Sequence, residues 1–434
     1  MIAEVRLWGR TIGAVSIDEG SEVAAFQYDP AFAQSGIEPS PLTMPLSNRV
    51  YQFPALPRQT FHGLPGLLAD SLPDKFGNAL IEAWLASQGR NAESFSAVER
   101  LCYTGTRGMG ALEFAPARGP KPRKATTLAV DALVQLASEV LTHRADVQGH
   151  FHGAGKAKAL RDILSVGTSA GGARAKAVIA WNPDTNEVRS GQIAAGDGFE
   201  YWLLKFDGVA GNKDKELDDP QGYGAIEYAY SMMAAAAGIT MSECRLMEEN
   251  GRRHFMTKRF DRLPGGAKLH MQSLCALAHF DFNQAGAYSY EQAMQVIREL
   301  NLPMASLEEQ FRRMAFNVVA RNQDDHVKNI AFLMNKQGEW SLAPAFDVTY
   351  SYNPSGAWTA THQMTLNGKR DGFTLKDFAA CAKVAGLKRG RSSQIVDQVL
   401  AAVKRWPEFA ALAKLDDSWR TKIQRAHRLT LPAQ

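Results

Sequence analysis

The sequence predicts an α+β protein of two lobes, the first rich in strands and the second all helical, with an additional α/β unit ahead of them. Three observations predict it. Strand-like segments dominate from about residue 127 to residue 262. Beyond residue 262, helix-capping signals and amphipathic runs take over. Gly119-Pro120-Lys121-Pro122-Arg123-Lys124 separates this pair of lobes from the first unit, because two prolines and three cations cannot build a core element. The expected division is 1–117, 118–262 and 263–434.

The elements follow in order. Gly9-Arg10-Thr11, flanked by alternating apolar residues, reads as a hairpin, and a Pro-rich connection leads to a helix over 76–88. No catalytic constellation is visible in this first unit, which reads as a packing or interaction domain. A helix is expected over 129–142, and a Gly-, His- and Lys-rich loop over 145–160. Strands follow at 175–181, 188–193 and 200–206. A helix over 223–237 closes on Gly238, and Asn250-Gly251 joins two further strands. Ser289-x-x-Gln292 and Ser306-x-x-Glu309 read as capping boxes. Leu307, Phe311, Met314 and Val318 give the second helix one apolar face. Helices are expected at 375–385, 393–405 and 416–428.

Composition narrows the function. At 434 residues the chain exceeds one ordinary core, and 45% hydrophobic with 22% charged residues suits a folded soluble protein. No apolar run approaches the ~20 residues of a membrane span. The N-terminus lacks the order of a signal peptide, and the four cysteines form no CxxC pair, so a cytoplasmic protein without disulfide framework or zinc site is expected. A net charge of +4 does not by itself imply nucleic acid.

The chemistry concentrates in Asp324-Asp325-His326-Val327-Lys328-Asn329. An Asp, an Asn five residues on, and Asp347 after a short hairpin have the spacing of a base and two metal ligands in phosphotransferases of the protein-kinase kind. Asp324 takes the place of the base. Asn329 and Asp347 are oxygen ligands of the type that holds Mg2+ on nucleotide phosphates. Lys205 ends an apolar strand, where its ammonium needs a partner. Glu227 is the only acid of the following helix. The loop containing Gly171 and Gly172 could wrap amides around phosphates, but an ordinary hairpin loop would look the same; it lacks the GK[ST] ending of a P-loop. The strand over 254–260, with Thr257, Lys258 and Phe260, would offer its backbone to an adenine edge. A lone His326 more often orients its loop by hydrogen bonding than binds metal.

These residues resemble the HipA-type Ser/Thr kinases, toxins of bacterial toxin–antitoxin pairs. Four blocks carry the resemblance across nearly the whole chain: Gly172-Ala173-Arg174-Ala175-Lys176, Leu203-Leu204-Lys205, Arg259-Phe260-Asp261-Arg262, and the Asp324–Asn329 loop with Pro344-Ala345-Phe346-Asp347. The resemblance implies a two-lobed protein-kinase-like fold using ATP and Mg2+. It implies Asp324 as catalytic base, Asn329 and Asp347 as metal ligands, and Lys205, Gly171, Gly172, Lys176 and Lys328 near the phosphates, with Glu227 and His326 in support. It further implies autophosphorylation of Ser169, which ejects the Gly-rich loop. The implied partners are a HipB-like DNA-binding antitoxin, operator DNA through that antitoxin only, and a protein substrate such as an aminoacyl-tRNA synthetase. The chain departs from the pattern at Arg174-Ala175 and at Lys258. The competing readings are a small-molecule phosphotransferase and an antitoxin-bound co-repressor with no kinase role.

Overall fold

The structure, a computed structural model, describes the chain except residues 92–93, 120–126, 143–162, 165, 168–173, 210–212, 215–216, 219–221 and 434. Ser169, Gly171 and Gly172 therefore lie outside the described residues, as do the 145–160 loop and the linker beyond Gly119.

The N-terminal hairpin forms as expected from β1 (Ile2–Leu7) and β2 (Arg10–Ser16). Trp8 and Gly9 both take positive φ at the turn, the backbone that matches the twist of paired strands. Adding β3 (Ala25–Tyr28), β4 (Val50–Tyr51) and β5 (Leu112–Ala115) gives an antiparallel sheet ordered β4-β3-β2-β1-β5. Ala3, Val5 and Leu7 point to its buried face, the period of two that a half-covered strand requires.

The second sheet holds β6 (Lys176–Trp181), β7 (Val188–Ser190) and β8 (Glu200–Lys205). A small hairpin of β9 (Lys213–Asp214) and β10 (Leu217–Asp218) follows, then β11 (Cys244–Glu249) and β12 (Arg252–Lys258). The order is β11-β12-β8-β6-β7. β7 stops at Ser190, short of the expected 193. Asn250 and Gly251, both at positive φ, make the predicted two-residue turn. Ala177, Ile179 and Trp181 share one core with the Lys75–Ser87 and Val130–Thr142 helices. The larger core runs from Ala3 to Ile423 and joins the N-terminal sheet, the Tyr223–Ala236 helix and the helical lobe. Both cores thus cross residue 117.

The second lobe is mainly helical. It also carries a three-stranded sheet of β13 (His270–Ser273), β14 (Ala331–Met334) and β15 (Trp340–Leu342), so it is not purely α. The Ser289/Gln292 capping box forms at the head of the Tyr290–Glu299 helix. The expected Ser306/Glu309 box does not. Pro303, with φ fixed near that of a helix, caps the Met304–Ala320 helix three residues earlier, which leaves Ser306 inside the first turn. Glu309 instead accepts from the Thr240 amide and from Arg313. Leu307, Phe311, Met314 and Val318 are buried as expected, but Gln310 and Arg313 are buried too. The helix therefore runs through the lobe rather than over it. Four helices close the chain: Leu375–Val384, Arg391–Lys404, Trp406–Leu412 and Asp417–Ala426. Among the described residues no helix is long and apolar enough to cross a membrane.

Candidate active site

A cleft of about 1090 Å3, open mouth included, lies between the β12 sheet and the helical lobe. Its lining includes the apolar side chains of Leu203, Met241, Phe255, Met271, Phe346 and Val348. It also includes the polar ones of Lys205, Glu227, Lys328, Asn329 and Asp347. A flat aromatic base and a string of phosphates would need both kinds of lining.

The charged residues of the cleft gather around Lys205. Strand β8 ends with its Nζ 2.6 Å from Glu227 Oε1 and 2.5 Å from Asp347 Oδ1. Burial pushes the ammonium toward losing its proton, but the two carboxylates outweigh burial and hold its pKa up. Asp347 is held well below the usual carboxylate range, against the effect of burial, chiefly by Lys205 and further by Lys176 and Arg174. Glu227 is only 2% exposed, which decides against a solvent-facing role; burial pushes its pKa up. Asp347 sits at φ +55, in the left-handed region that Asp enters more readily than most non-glycine residues. The Ala345 amide on Thr240 O and the parallel bridge of Ala345 with Met241 hold the segment before it.

The loop after the Met304–Ala320 helix leaves through Arg321, in the left-handed region. Asn329 Nδ2 donates to Asp324 O at 3.0 Å. This occupies the donor end of the amide, and Asn329 lines the cleft beside Asp347. Asp324 does not line it. Its Oδ1 accepts from Trp358 Nε1 at 2.6 Å, on the helical-lobe side. Asp325 points inward and is buried. Its carboxylate accepts from Tyr290 Oη at 2.5 Å, His362 Nδ1 at 2.7 Å and the Gln363 amide at 2.7 Å. Burial raises its pKa, and these partners, His362 first, bring it below the ordinary value.

His326 departs from expectation. Its ring leans on Phe282 at 5.4 Å, and Nδ1 is buried with no hydrogen-bond partner, so the ring does not tie its own loop together. His362 ties it instead. Lys328 lies over the Phe282 ring at 5.2 Å and reaches the cleft. Thr257, Lys258 and Phe260 line the cleft, with Lys258 Nζ turned onto Glu200. Lys176 sits deeper than a loop residue: its buried Nζ pairs with Asp74 Oδ2 at 3.1 Å.

Two groups of residues were not legible in the sequence. Trp358, His362 and Gln363 carry no motif spacing, and only the fold brings them against 323–325. Asp70, Ser71 and Met109 of the N-terminal region line the cleft. The one available signal was Gly66: a Cβ there would stand 2.2 Å from Ala276 O, so only glycine lets that stretch dock on the helical lobe. Docking places Asp70 on Ser273, with its carboxylate 2.7 Å from the Ser273 amide and 2.8 Å from Oγ.

Among the described residues no group of three or more His, Cys, Asp or Glu is placed to hold a metal alone. Asn329 and Asp347 fit a hard cation that takes its other oxygens from phosphate and water, as Mg2+ does.

Comparison with known proteins bears on the fold and the family. Over 98% of its length the chain superposes on Shewanella oneidensis MR-1 HipA, determined with HipB and operator DNA. The TM-score is 0.66 at 19% identity, with 96% of that chain covered. The crystal structure of the Helicobacter pylori proinflammatory kinase CtkA matches more weakly, at TM-score 0.34 and 12% identity over 52% of this chain and 84% of its own, and carries no weight here. Y4mE of Sinorhizobium fredii (strain NBRC 101917 / NGR234), which has a provisional kinase designation, is 27% identical over 188 residues. That match spans 40% of this chain and 44% of Y4mE, less than half the length of the relative. Residues 3–115 match the HipA N-terminal domain, and residues 168–406, more than half of the chain, match the HipA-like C-terminal domain. The chain belongs to the HipA family.

Proposed function

We propose that the protein is an ATP-dependent protein serine/threonine kinase that acts as a growth-inhibiting toxin. The observation that carries the reading is Lys205, bridged at once to Glu227 and Asp347 in a cleft lined by both apolar and polar side chains. A lysine in that setting is charged at any physiological pH and can neutralise phosphate oxygens. The backbone of 257–260, which lines the cleft, would offer its polar groups to an adenine edge. Asn329 and Asp347 would hold Mg2+, which supplies charge neutralisation on the transferring phosphate when bound. Asp324 would orient the acceptor hydroxyl and take its proton. The hydroxyl oxygen then bonds to the γ-phosphorus as the bond to the β-phosphate oxygen breaks, and ADP leaves with the electron pair.

Autophosphorylation at Ser169 would put about −1.5 to −2 charges into a loop that would wrap the ATP phosphates, so loop and nucleotide would repel. A HipB-like antitoxin fits as partner, as in the Shewanella assembly, with operator DNA reached through it. The acceptor would be a protein, with components of translation such as an aminoacyl-tRNA synthetase as candidates. Residues 1–117, 118–262 and 263–434 would then serve as docking unit, nucleotide-gripping lobe and catalytic lobe.

The test is self-labelling of the purified, phosphatase-treated chain with γ-labelled ATP and Mg2+. Labelling that disappears in Asp347→Ala supports the reading. Wild-type protein that neither labels itself nor binds ATP overturns it. Turnover of metabolites without protein labelling would establish a small-molecule phosphotransferase, and partner binding without any ATP binding a co-repressor. Phosphopeptide mass spectrometry of host lysate after brief expression, compared with Asp347→Ala, identifies the target.

A further inference from the structure

Residues 323, 324 and 325 each make a contact with the segment 358–363. Gln323 Nε2 donates to Thr359 O at 3.1 Å. Asp325 takes His362 Nδ1 and the Gln363 amide. Gln363 Nε2 returns to Trp358 O and to Gln323 O, the latter at 3.4 Å. These outer rungs are buried: Gln323, Asp325, Thr359, His362 and Gln363 are all under 5% exposed. They fix the backbone from Trp358 to Gln363. The middle rung is different. Trp358 Nε1 meets Asp324 Oδ1 at 2.6 Å, and both side chains are only half-buried. A partly exposed hydrogen bond adds little to stability beyond what the buried rungs give. What it does supply is a directed donor that fixes the plane of the carboxylate.

We propose that Trp358 is a positioning residue for phosphoryl transfer: its indole N–H, held in place by the Gln323 and Asp325 rungs, sets the orientation of the Asp324 carboxylate toward the acceptor hydroxyl. This rests on the kinase reading above. Nothing in the spacing of the catalytic loop announces it, because Trp358 lies 34 residues downstream of Asp324.

The experiment is a double-mutant cycle on the full chain, read as self-labelling with γ-labelled ATP. Trp358→Phe keeps a ring and loses the donor. Its rate at saturating ATP falls about 10- to 100-fold, while half-saturating ATP stays within about twofold. Trp358→His keeps a ring N–H at the same bond count from Cβ and regains most of that rate. In an Asp324→Asn background Trp358→Phe has no further effect, because the indole acts through that carboxylate. Thermal melts show whether each variant is folded. If the Phe variant is misfolded, Trp358→His is compared with wild type through the same cycle: a rate near wild type supports the donor's role, and a rate as low as that of Asp324→Asn overturns it. A folded Trp358→Phe that labels at the wild-type rate overturns the proposal. So does one that labels faster, which makes the indole an obstruction, or one that slows equally with Asp324→Asn. Wild type that transfers no phosphate and binds no ATP overturns the kinase reading itself, and is told apart because no variant is then needed to see the failure.

Discussion

Two aspartates of this chain sit among cations, and they differ in one respect that separates architecture from chemistry. Asp261 has no exposure, and four donors use both of its oxygens: Arg259 Nε at 2.9 Å, Arg259 Nη2, Arg262 Nη1 and the Gly110 amide, each of these at 2.7 Å. Burial raises its pKa, but the two guanidiniums and the amide bring it down to about 2. Arg262 also donates to Gly110 O and Gly108 O, so the cluster rivets the N-terminal region to the strand that crosses between lobes. Asp347 is held low by a comparable neighbour, yet its side chain remains one-third exposed and faces the cleft. A closed set of donors makes a rivet. An open set, with lone pairs still directed at space, makes a binding site.

The largest expected effect tests that contrast directly. Asp261→Ala strands two buried guanidiniums and costs about 3–5 kcal/mol, read as a lower unfolding midpoint. Asp347→Ala leaves the midpoint nearly unchanged and, if Asp347 holds the cation as proposed, lowers phosphate transfer by about 10³-fold or more. Equal destabilisation by both substitutions would break the comparison. Glu227→Gln comes next. It leaves Lys205 with Asp347 alone and raises the ATP needed for half-saturation by roughly tenfold, the worth of one charge-assisted hydrogen bond.

An effect on stability rather than on activity is expected from pH. His270 is fully buried, with Nε2 3.0 Å from Pro39 O across the same seam, and burial lowers its pKa to about 4. Its folded pKa lies below the unfolded value, so the unfolded state binds the proton more tightly. Stability from the neutral ring is complete above pH ~6.5 and is lost as pH falls toward 4, about 2 kcal/mol of it by pH 5. Asp261, lowered to about 2, holds its contribution until the pH drops below ~4. Urea unfolding at pH 7 and pH 5 measures the loss, and His270→Gln shrinks the difference; an unchanged difference removes His270 from the account. The smallest effect belongs to Lys258→Ala. That ammonium is turned to Glu200 and, at 3.6 Å, to Glu243, both partly exposed. Half-saturating ATP changes by less than about threefold, since such pairs are worth about 0–1 kcal/mol.

Sequence was a sufficient guide where periodicity and local chemistry decide the outcome. Asn250-Gly251 turned as its backbone preferences require, and Ser289 found Gln292. The pairing of Lys205 with Glu227 followed from an apolar strand and a helix with a single acid. Sequence misled where a neighbour intervenes that no local pattern announces. Ser306 lost its cap to a proline three residues earlier. His326 was expected to bond within its loop, but His362, brought in by the fold, took that place on Asp325. The N-terminal region gave no hint that Asp70, Ser71 and Met109 would wall the cleft, because a wall contributed by tertiary docking leaves no local pattern beyond a glycine at the point of closest approach.

That wall has a thermodynamic consequence. Since residues before 117 both line the cleft and share the larger core with the helical lobe, the N-terminal sheet and the cleft are joined through packed side chains. If the cleft holds a nucleotide, a protein that gripped the sheet and shifted Asp70 or Met109 would change nucleotide affinity by some factor, and bound nucleotide would change that protein's grip by the same factor. The first unit would then be less an appendage than one arm of a balance whose other arm is the nucleotide.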